Sequence, residues 1–318
     1  MTMASLRAHL YDLTIRLAVK GRLGGTHDVY AIRRAFEGAR FPTPAGVAFT
    51  PGEVGGVPGE WAEAAGAKTE GTKTEGTRAD GERPTLLYCH GGGFIACSAQ
   101  LYRPVTGRFA RAGFRVFTPD YRLAPEHPFP AAVEDCTGVW TALAEAGPAV
   151  VAGDSAGGSL ALTTIIEARR LGLTPPVAAA LFSPATDLIG RSASFRTNGR
   201  RDAMFRPEAL MRLVPAYLAG ADPADPRASP IEADLSGFPP LLIHVGVREI
   251  LRDDSLRLAE KAKAAGVPVE LTVFPVVAHA WQLAESFLPE ARRSLDEAAT
   301  FLHRALKAPP HPEAEVAA

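Results

Sequence analysis

The sequence is short of cysteine, of net charge and of long apolar runs near its start. Its 318 residues include only three cysteines, Cys89, Cys97 and Cys136, which form no CxxC pair. This usage is typical of reduced or simply buried thiols in a reducing compartment, and it argues against a structural zinc site. The formal net charge is −1, so no overall field favours nucleic acid or an anionic membrane.

Charged residues interrupt the N-terminal segment throughout, which argues against a signal peptide or a transmembrane span there. We therefore expect a cytoplasmic protein with no stable membrane insertion and no nucleic-acid partner. Four leucines recur at helical spacing and predict an amphipathic helix: Leu6, Leu10, Leu13 and Leu17. Such a helix usually docks on a core, and binding to a membrane surface is the alternative.

Strand-like and helix-like segments alternate from about residue 84 onward. The strand candidates are apolar and rich in β-branched residues: 84–89, 114–118, 149–153, 177–183, 240–246 and 269–274. Segments with helical periodicity lie between several of them: 131–146, 155–171, 253–265 and 290–306. Several strand candidates lack polar alternation, as strands covered on both faces do. The pattern predicts an α/β fold with a mostly parallel sheet and helices on both faces.

Two stretches break this alternation. Residues 67–83 are polar, with a TEG tandem, and predict a mobile surface loop. Residues 187–229 are too long for a simple connection between strands and predict a helical insertion over the sheet. Residues 187–229 and residues 1–45 are together interpreted as a cap, which leaves 46–186 and 230–318 as the core.

The motif GDSAG at residues 153–157 follows an apolar strand candidate and precedes a helical segment. That is the context of a nucleophile elbow, in which a sharp turn projects a serine and the helix N-terminus favours negative charge beside it. Ser155 is therefore the candidate nucleophile, with Asp154 as a supporting residue of the motif. Glycine-rich turns after strands also occur as plain structure, so this motif needs partners elsewhere in the chain.

A second motif, HGGGF at residues 90–94, follows the apolar run PTLLYC. Three successive glycines leave backbone N–H groups accessible, and together with the N–H of Ala156 they can bind an oxyanion. A flexible turn or a phosphate-binding loop is the alternative, but no GxxxxGK[ST] is present and no GxGxxG opens a helix here. His90 is interpreted as the residue that positions the glycines.

A base and an acid are needed to activate a serine. Of the eight histidines, only His279 follows the serine, lies on a loop and comes after a strand end that bears a carboxylate. Glu249, at the end of the strand PLLIHVG, is the candidate acid. Asp253 and Asp254 look like N-terminal residues of the next helix, stabilised by its dipole. The order serine, acid, histidine is that of α/β hydrolases.

HGGGF, DYRLAPEHPFPAA at residues 120–132 and GDSAGG at 153–158 resemble the hormone-sensitive-lipase-like esterases, the bacterial family IV carboxylesterases. The resemblance covers roughly residues 85–283. It implies an α/β-hydrolase fold with a helical cap, Ser155 as nucleophile and His279 as base. It also implies that the oxyanion is held by the N–H groups of the HGGG loop and of the elbow: Gly91 as motif support, and Gly92, Gly93 and Ala156 as donors.

One position departs from the family pattern. Many relatives carry Asp-Pro-Leu-Arg-Asp at the acid, where this chain has REILRDD. When this sequence is aligned with the family pattern from Pro240 without a gap, Glu249 falls on the position of the catalytic acid. Other relatives carry Asp-Glu-Ile-Leu. Alignment with these relatives would place Arg248 at the position of the acid, and this chain would then have no acid.

The expected activity is cofactor-free and metal-free hydrolysis of small-molecule esters with short acyl chains, about two to six carbons under a limiting cap. Phe94 and Trp281 are the candidate pocket walls, and a homodimer is possible by resemblance. Three alternatives use the same triad: a lactonase, an amidase or a transacylase. A non-catalytic receptor, as in the plant gibberellin receptors that resemble this family, is the alternative from another class.

Overall fold

The structure, a computed structural model, describes residues 4–21, 28–66 and 83–308. The polar segment predicted to be a mobile loop lies outside the described residues except for Arg83. Within the described ranges no helix is long and apolar enough to cross a bilayer.

Eight strands form one sheet in the order β1-β2-β4-β3-β5-β6-β7-β8. The strands are β1 Val47–Val54, β2 Val57–Ala64, β3 Thr85–Cys89, β4 Arg115–Pro119, β5 Ala149–Asp154, β6 Ala179–Phe182, β7 Leu241–Gly246 and β8 Val269–Phe274. β1 pairs antiparallel with β2, and β2 pairs antiparallel with β4, whereas all the other pairs are parallel. The predicted mostly parallel sheet is thus confirmed.

Helices cover both faces of the sheet. They are α1 Leu6–Ala18, α2 Val29–Glu37, α3 Arg103–Arg111, α4 Ala131–Glu145, α5 Ala156–Arg170, α6 Ala193–Thr197, α7 Pro207–Met211, α8 Leu213–Leu218, α9 Arg252–Ala264 and α10 Pro289–Lys307. Alternate residues of β3 enter opposite cores, Leu87 with α4, α5 and α9, and Leu86 with α3 and α10. This two-sided burial explains why the strands lack polar alternation.

The parallel register brings the carboxyl ends of the strands to one edge. Cys89 pairs with Gly153, Phe182 with Asp154 and His244, and Gly246 with Phe274. The segments that begin directly after these strands therefore start side by side, at the edge where open α/β sheets bind ligands.

Two features of the N-terminal part differ from expectation. The β1–β2 hairpin, joined at Gly55 and Gly56, falls in a stretch for which no strand is predicted.

The leucine stripe of α1 does not dock, since Leu6, Leu10, Leu13 and Leu17 are 84%, 55%, 50% and 75% exposed. The helix packs instead through other residues: Ala8 and Asp12 are buried, and Tyr11 and Ile15 are partly buried against the apolar clusters. Its N-terminus is held because Ser5 donates to the Glu290 carboxylate. The prediction that this stripe faces a core is wrong.

Candidate active site

Ser155 lies in the sharp turn between β5 and α5. Its φ of 54° and ψ of −123° place a non-glycine residue in a strained backbone conformation, as a nucleophile elbow requires. The helix α5 begins at the next residue, so its N–H groups and the positive end of its dipole face the serine. At Gly157 a Cβ would overlap the carbonyl oxygens of Cys89 and His90. Only glycine permits this close approach of helix to strand end.

The glycine loop is attached to the elbow by one buried carboxylate. Asp154 accepts hydrogen bonds from the Gly91 N–H at 3.0 Å, the Tyr88 hydroxyl at 3.0 Å and the Tyr102 hydroxyl at 2.7 Å. Burial raises the pKa of Asp154 to about 6, although these donors and the His279 charge oppose the rise. The motif's aspartate thus fixes where the glycines lie relative to the serine.

The glycines of this loop adopt left-handed backbone angles, with φ of 121° at Gly92 and 64° at Gly93. His90 precedes them and is fully buried, stacked on the Tyr121 ring at a centroid distance of 4.2 Å. Its Nδ1–H donates to the Gly91 carbonyl at 2.7 Å, and the Tyr121 hydroxyl donates to the His90 carbonyl at 2.8 Å. Burial lowers the pKa of His90, which disfavours the charged imidazolium, and the hydrogen bonds of this residue hold the loop.

His279 and Glu249 form a buried pair. The His279 Nδ1 lies 2.6 Å from the Glu249 Oε2, and the two residues are 3% and 1% exposed. The other carboxylate oxygen, Oε1, accepts from the Ser183 hydroxyl at 2.8 Å and the Gly246 N–H at 2.6 Å. Burial lowers the pKa of His279, but the Glu249 hydrogen bond and charge, with the charges of Asp202 and Asp154, outweigh it, so the pKa is raised. The ring's Nε2 remains for proton transfer.

Two residues of the long insertion hold the backbone beside Glu249. The Asn198 side-chain amide donates to the carbonyls of Glu249 at 2.9 Å and Val247 at 3.2 Å. The Asp202 carboxylate accepts from the Ile250 N–H at 2.9 Å. Burial, with a contribution from the Glu249 charge, raises the pKa of Asp202.

The neighbouring carboxylates of this segment have other tasks. Asp254 lies in the first turn of α9 as predicted, but it does not cap the helix. It is buried and accepts from the Thr186 N–H at 2.9 Å, the Asp187 N–H at 3.1 Å and the Ser192 hydroxyl at 2.5 Å. It therefore holds the start of the insertion. Arg248 turns away from His279 and lies 3.5 Å from Asp12 of α1.

A cavity of about 230 Å³ brings the candidate residues together. Ser155, His279, Gly92 and Gly93 line one side of it. More than half of the remaining wall comes from residues 6–20, 29–37 and 193–218, which we call the roof. Roof side chains in the wall include Tyr11, Ile15, Val19, Ile32, Phe36 and Leu213. Ser155 thus opens into a partly open and mostly apolar space.

A smaller cavity of about 40 Å³ adjoins Ser155 on another side, and Phe94 and Ala156 are in its wall. Phe94 stacks on Tyr217 with ring centroids 3.8 Å apart. Trp281, by contrast, lines neither cavity. It is fully buried in a separate apolar cluster against Phe274. The expectation that Trp281 forms a pocket wall is wrong, because the indole packs under the His279 loop.

Several contributors escape sequence reasoning. Tyr88, Tyr102, Ser183 and Asn198 each hydrogen-bond a candidate site residue, and Asp202 binds the backbone of Ile250 next to Glu249. Tyr88 lies two residues before the HGGGF motif, in the strand that leads into it, so its position carries a signal. The others lie in stretches without a motif. Among residues 4–21, 28–66 and 83–308, no group of three His, Cys, Asp or Glu is arranged to hold a metal ion.

Comparisons with known proteins agree with this geometry. The sequence profile of a family described as having the α/β hydrolase fold matches residues 86–283. An acetyl-hydrolase of Streptomyces hygroscopicus is 41% identical over 226 residues, which cover 70% of this chain and 76% of the relative. An esterase of Acinetobacter venetianus is 34% identical over 267 residues, covering 82% and 84%. A solved esterase of the bacterial hormone-sensitive lipase family superposes with a TM-score of 0.84 at 35% identity, covering 96% of this chain and 100% of that one.

Proposed function

We infer that this chain, which belongs to the α/β-hydrolase family and within it to the hormone-sensitive-lipase-like esterases, is a serine carboxylesterase with Ser155 as its nucleophile. The observation that carries the inference is the site itself. A serine strained at a strand-to-helix turn shares one cavity with a histidine bound to a buried glutamate and with a loop of glycine N–H groups. Relatives named acetyl-hydrolase and esterase support this chemistry.

In the proposed reaction the Ser155 hydroxyl attacks the ester carbonyl while His279 accepts its proton at Nε2. Glu249 fixes the tautomer of His279 and stabilises the imidazolium. The negative charge on the former carbonyl oxygen is received by the N–H groups of Gly92, Gly93 and Ala156. The intermediate then breaks its bond to the alcohol oxygen, which leaves with the proton from His279. A water molecule, which gives its proton to His279, then attacks the acyl-enzyme in the same way. The carboxylic acid is released and the Ser155 hydroxyl is restored.

We also propose that residues 1–45 and 187–229 act as a cap over Ser155, in which the insertion 187–229 limits acyl length. Side chains of this insertion, such as Leu188, Met211 and Val214, line the small cavity beside Ser155, which supports this role. A cytoplasmic location is proposed from the three cysteines, all free thiols. A homodimer remains a proposal from the family resemblance, to be tested by analytical ultracentrifugation.

The decisive experiment replaces the nucleophile. Ser155→Ala is expected to lower kcat on p-nitrophenyl acetate by roughly 10⁴–10⁶, because no other group can form the acyl-enzyme. Ser236→Ala, in an exposed turn, serves as the matched control. Both melting temperatures should stay near that of the parent protein. Near-parental turnover by Ser155→Ala would remove the proposal, and faster turnover of lactones or amides than of esters would replace the substrate class.

A further inference from the structure

Two cavities of unequal size meet at Ser155. The large one has a volume of about 230 Å³ and the small one about 40 Å³. They share four wall residues, Gly93, Ser155, Leu210 and Leu213. An ester carbonyl at Ser155 therefore has two separate spaces available for its two arms.

The catalytic groups are divided unequally between these spaces. His279 and Gly92 line the large cavity and do not line the small one. Ala156, whose N–H follows the nucleophile, lines the small cavity and not the large one. Only the large cavity thus has direct access to the imidazole.

Proton transfer decides which arm lies in which cavity. When the tetrahedral intermediate collapses, the bond from the former carbonyl carbon to the alcohol oxygen breaks, and that oxygen takes the proton from the His279 Nε2. The alcohol oxygen must therefore be within hydrogen-bond reach of His279. The acyl chain, attached to the other side of the same carbon, must point away from the imidazole.

We propose that the alcohol arm of the substrate lies in the large cavity and the acyl arm in the small one. The substrate class is then an ester of a very short acid with a larger apolar alcohol. This assignment rests on the proposed function and narrows it. The walls of the small cavity would limit the length of the acyl chain, and the walls of the large cavity would independently limit the length of the alcohol.

The volumes set the expected limits. A single water needs roughly 10–15 Å³ of such space, so a cavity of about 40 Å³ holds roughly three or four groups of that size. Acetyl to butanoyl chains fit this limit, and a hexanoyl chain exceeds it. The large cavity has room for roughly fifteen to twenty such groups on the same scale. Its walls carry Tyr11, Ile15, Val19 and Phe36, which favour an apolar alcohol.

Isomeric esters test the assignment without a change in composition. Pentyl acetate and methyl hexanoate have the same atoms, but one has its long arm on the alcohol and the other on the acid. We expect kcat/KM for pentyl acetate to exceed that for methyl hexanoate by tenfold or more, since one misplaced methylene can already cost about tenfold. A smaller ratio, or preference for methyl hexanoate, overturns the assignment. Turnover of neither isomer, nor of p-nitrophenyl acetate, would instead be a failure of the proposed esterase function.

Two matched substitutions sharpen the test. Val214 lines only the small cavity and Val19 only the large one. Val214→Phe is expected to lower the ratio of kcat/KM for ethyl butanoate to that for ethyl acetate by about tenfold. Val19→Phe should instead lower the ratio for pentyl acetate to ethyl acetate by a similar factor.

The opposite pattern, or equal effects of both variants on both ratios, overturns the assignment. Val214→Ala provides a variant that adds no bulk, should Val214→Phe not fold. It enlarges the small cavity and should raise kcat/KM for methyl hexanoate relative to pentyl acetate. No rise in that ratio also counts against the assignment.

Discussion

The floor and the roof of the large cavity are built from different kinds of contact. The floor, residues 90–93, 154–155, 246–249 and 279, is held by buried carboxylates that accept from backbone N–H groups and hydroxyls. The helices of the roof are joined by Arg16 and Lys20, which are partly exposed and donate to backbone carbonyls of residues 199–202. A bond lost in the floor leaves a buried group unsatisfied, whereas water can replace a bond lost in the roof.

Floor and roof meet at the segment that carries the candidate acid. Asn198 and Asp202 of the roof bind the backbone on either side of Glu249, and Arg248 contacts Asp12 of α1. We therefore expect three sizes of effect on the enzyme. Substitutions in the floor should cost the most turnover, and substitutions at this junction should change the properties of His279. Substitutions of the cations that join the helices of the roof, Arg16 and Lys20, should mainly affect stability.

The largest effect is expected for Glu249→Gln in the floor. The amide cannot hold His279 Nδ1–H and stabilise the imidazolium as the carboxylate does. The corresponding acid-to-amide change in a chymotrypsin-type protease costs about 10⁴ in turnover. We expect a loss of kcat on the order of 10²–10⁴ on p-nitrophenyl acetate, with a folded protein by circular dichroism.

Asp254→Asn is the matched control for that change, five residues along the chain and equally buried. In this variant an NH₂ group replaces one carboxylate oxygen, faces a group that also donates, and cannot accept its hydrogen bond. We therefore expect the free energy of unfolding to fall by about 1–3 kcal/mol, with turnover largely retained. If Asp254→Asn abolishes activity while Glu249→Gln spares it, the assignment of Glu249 as the acid is wrong.

An intermediate effect is expected at the junction and is visible in the pH profile. His279 must be neutral to accept the proton of Ser155, so kcat/KM falls at low pH as the imidazole becomes charged. Burial alone would lower this pKa, but Glu249, Asp202 and Asp154 raise it above its usual 6.5. The acid limb of kcat/KM should therefore lie above pH 6.5.

Asp202→Asn removes one of the charges that raise the pKa of His279. The acid limb should shift to lower pH, while kcat/KM on the plateau falls by less than about tenfold because Ser155 and Glu249 remain. Asp222→Asn makes the same charge change at an exposed turn of the same insertion and should leave the profile unchanged. An unshifted limb in Asp202→Asn would show that this carboxylate acts on the backbone alone.

The contrast between floor and roof also explains what the sequence could predict. Ser155 and the glycine loop were predictable because each directly follows a buried strand, β5 or β3. His279 lies five residues after the end of β8, and the parallel register brings all three positions to one edge of the sheet. Six strand candidates lie within two residues of observed strands, for the same reason.

The remaining features depend on contacts that leave no local pattern. Asn198 and Asp202 reach Glu249 and Ile250 across about fifty residues of sequence, and their side chains follow no periodicity. The leucines of α1 predict a helix correctly but do not determine which face docks, because the face that carries Ala8, Asp12 and Ile15 is the one that packs on the protein. Likewise, an aromatic residue next to a motif can be core, as Trp281 is.

The smallest effect is expected in the roof, at Lys20. Its ammonium group donates to the carbonyls of Gly199 at 2.8 Å and Asp202 at 2.6 Å, and thereby holds α1 against the insertion. Burial lowers the pKa of Lys20, with Arg16 and Arg206 acting in the same direction and Asp202 opposing them. In Lys20→Met, water can solvate the freed carbonyls, so we expect the free energy of unfolding to fall by about 0.5–1.5 kcal/mol, or roughly 2 °C in melting temperature.

Because α1 lines the large cavity, KM of Lys20→Met for pentyl acetate should rise by about 2–4-fold, with kcat nearly unchanged. Lys263→Met, on the exposed face of α9, is the matched control and should change neither value. A fall in kcat as large as that of Glu249→Gln would mean that the roof takes part in the chemistry, and the division between the two regions would be lost.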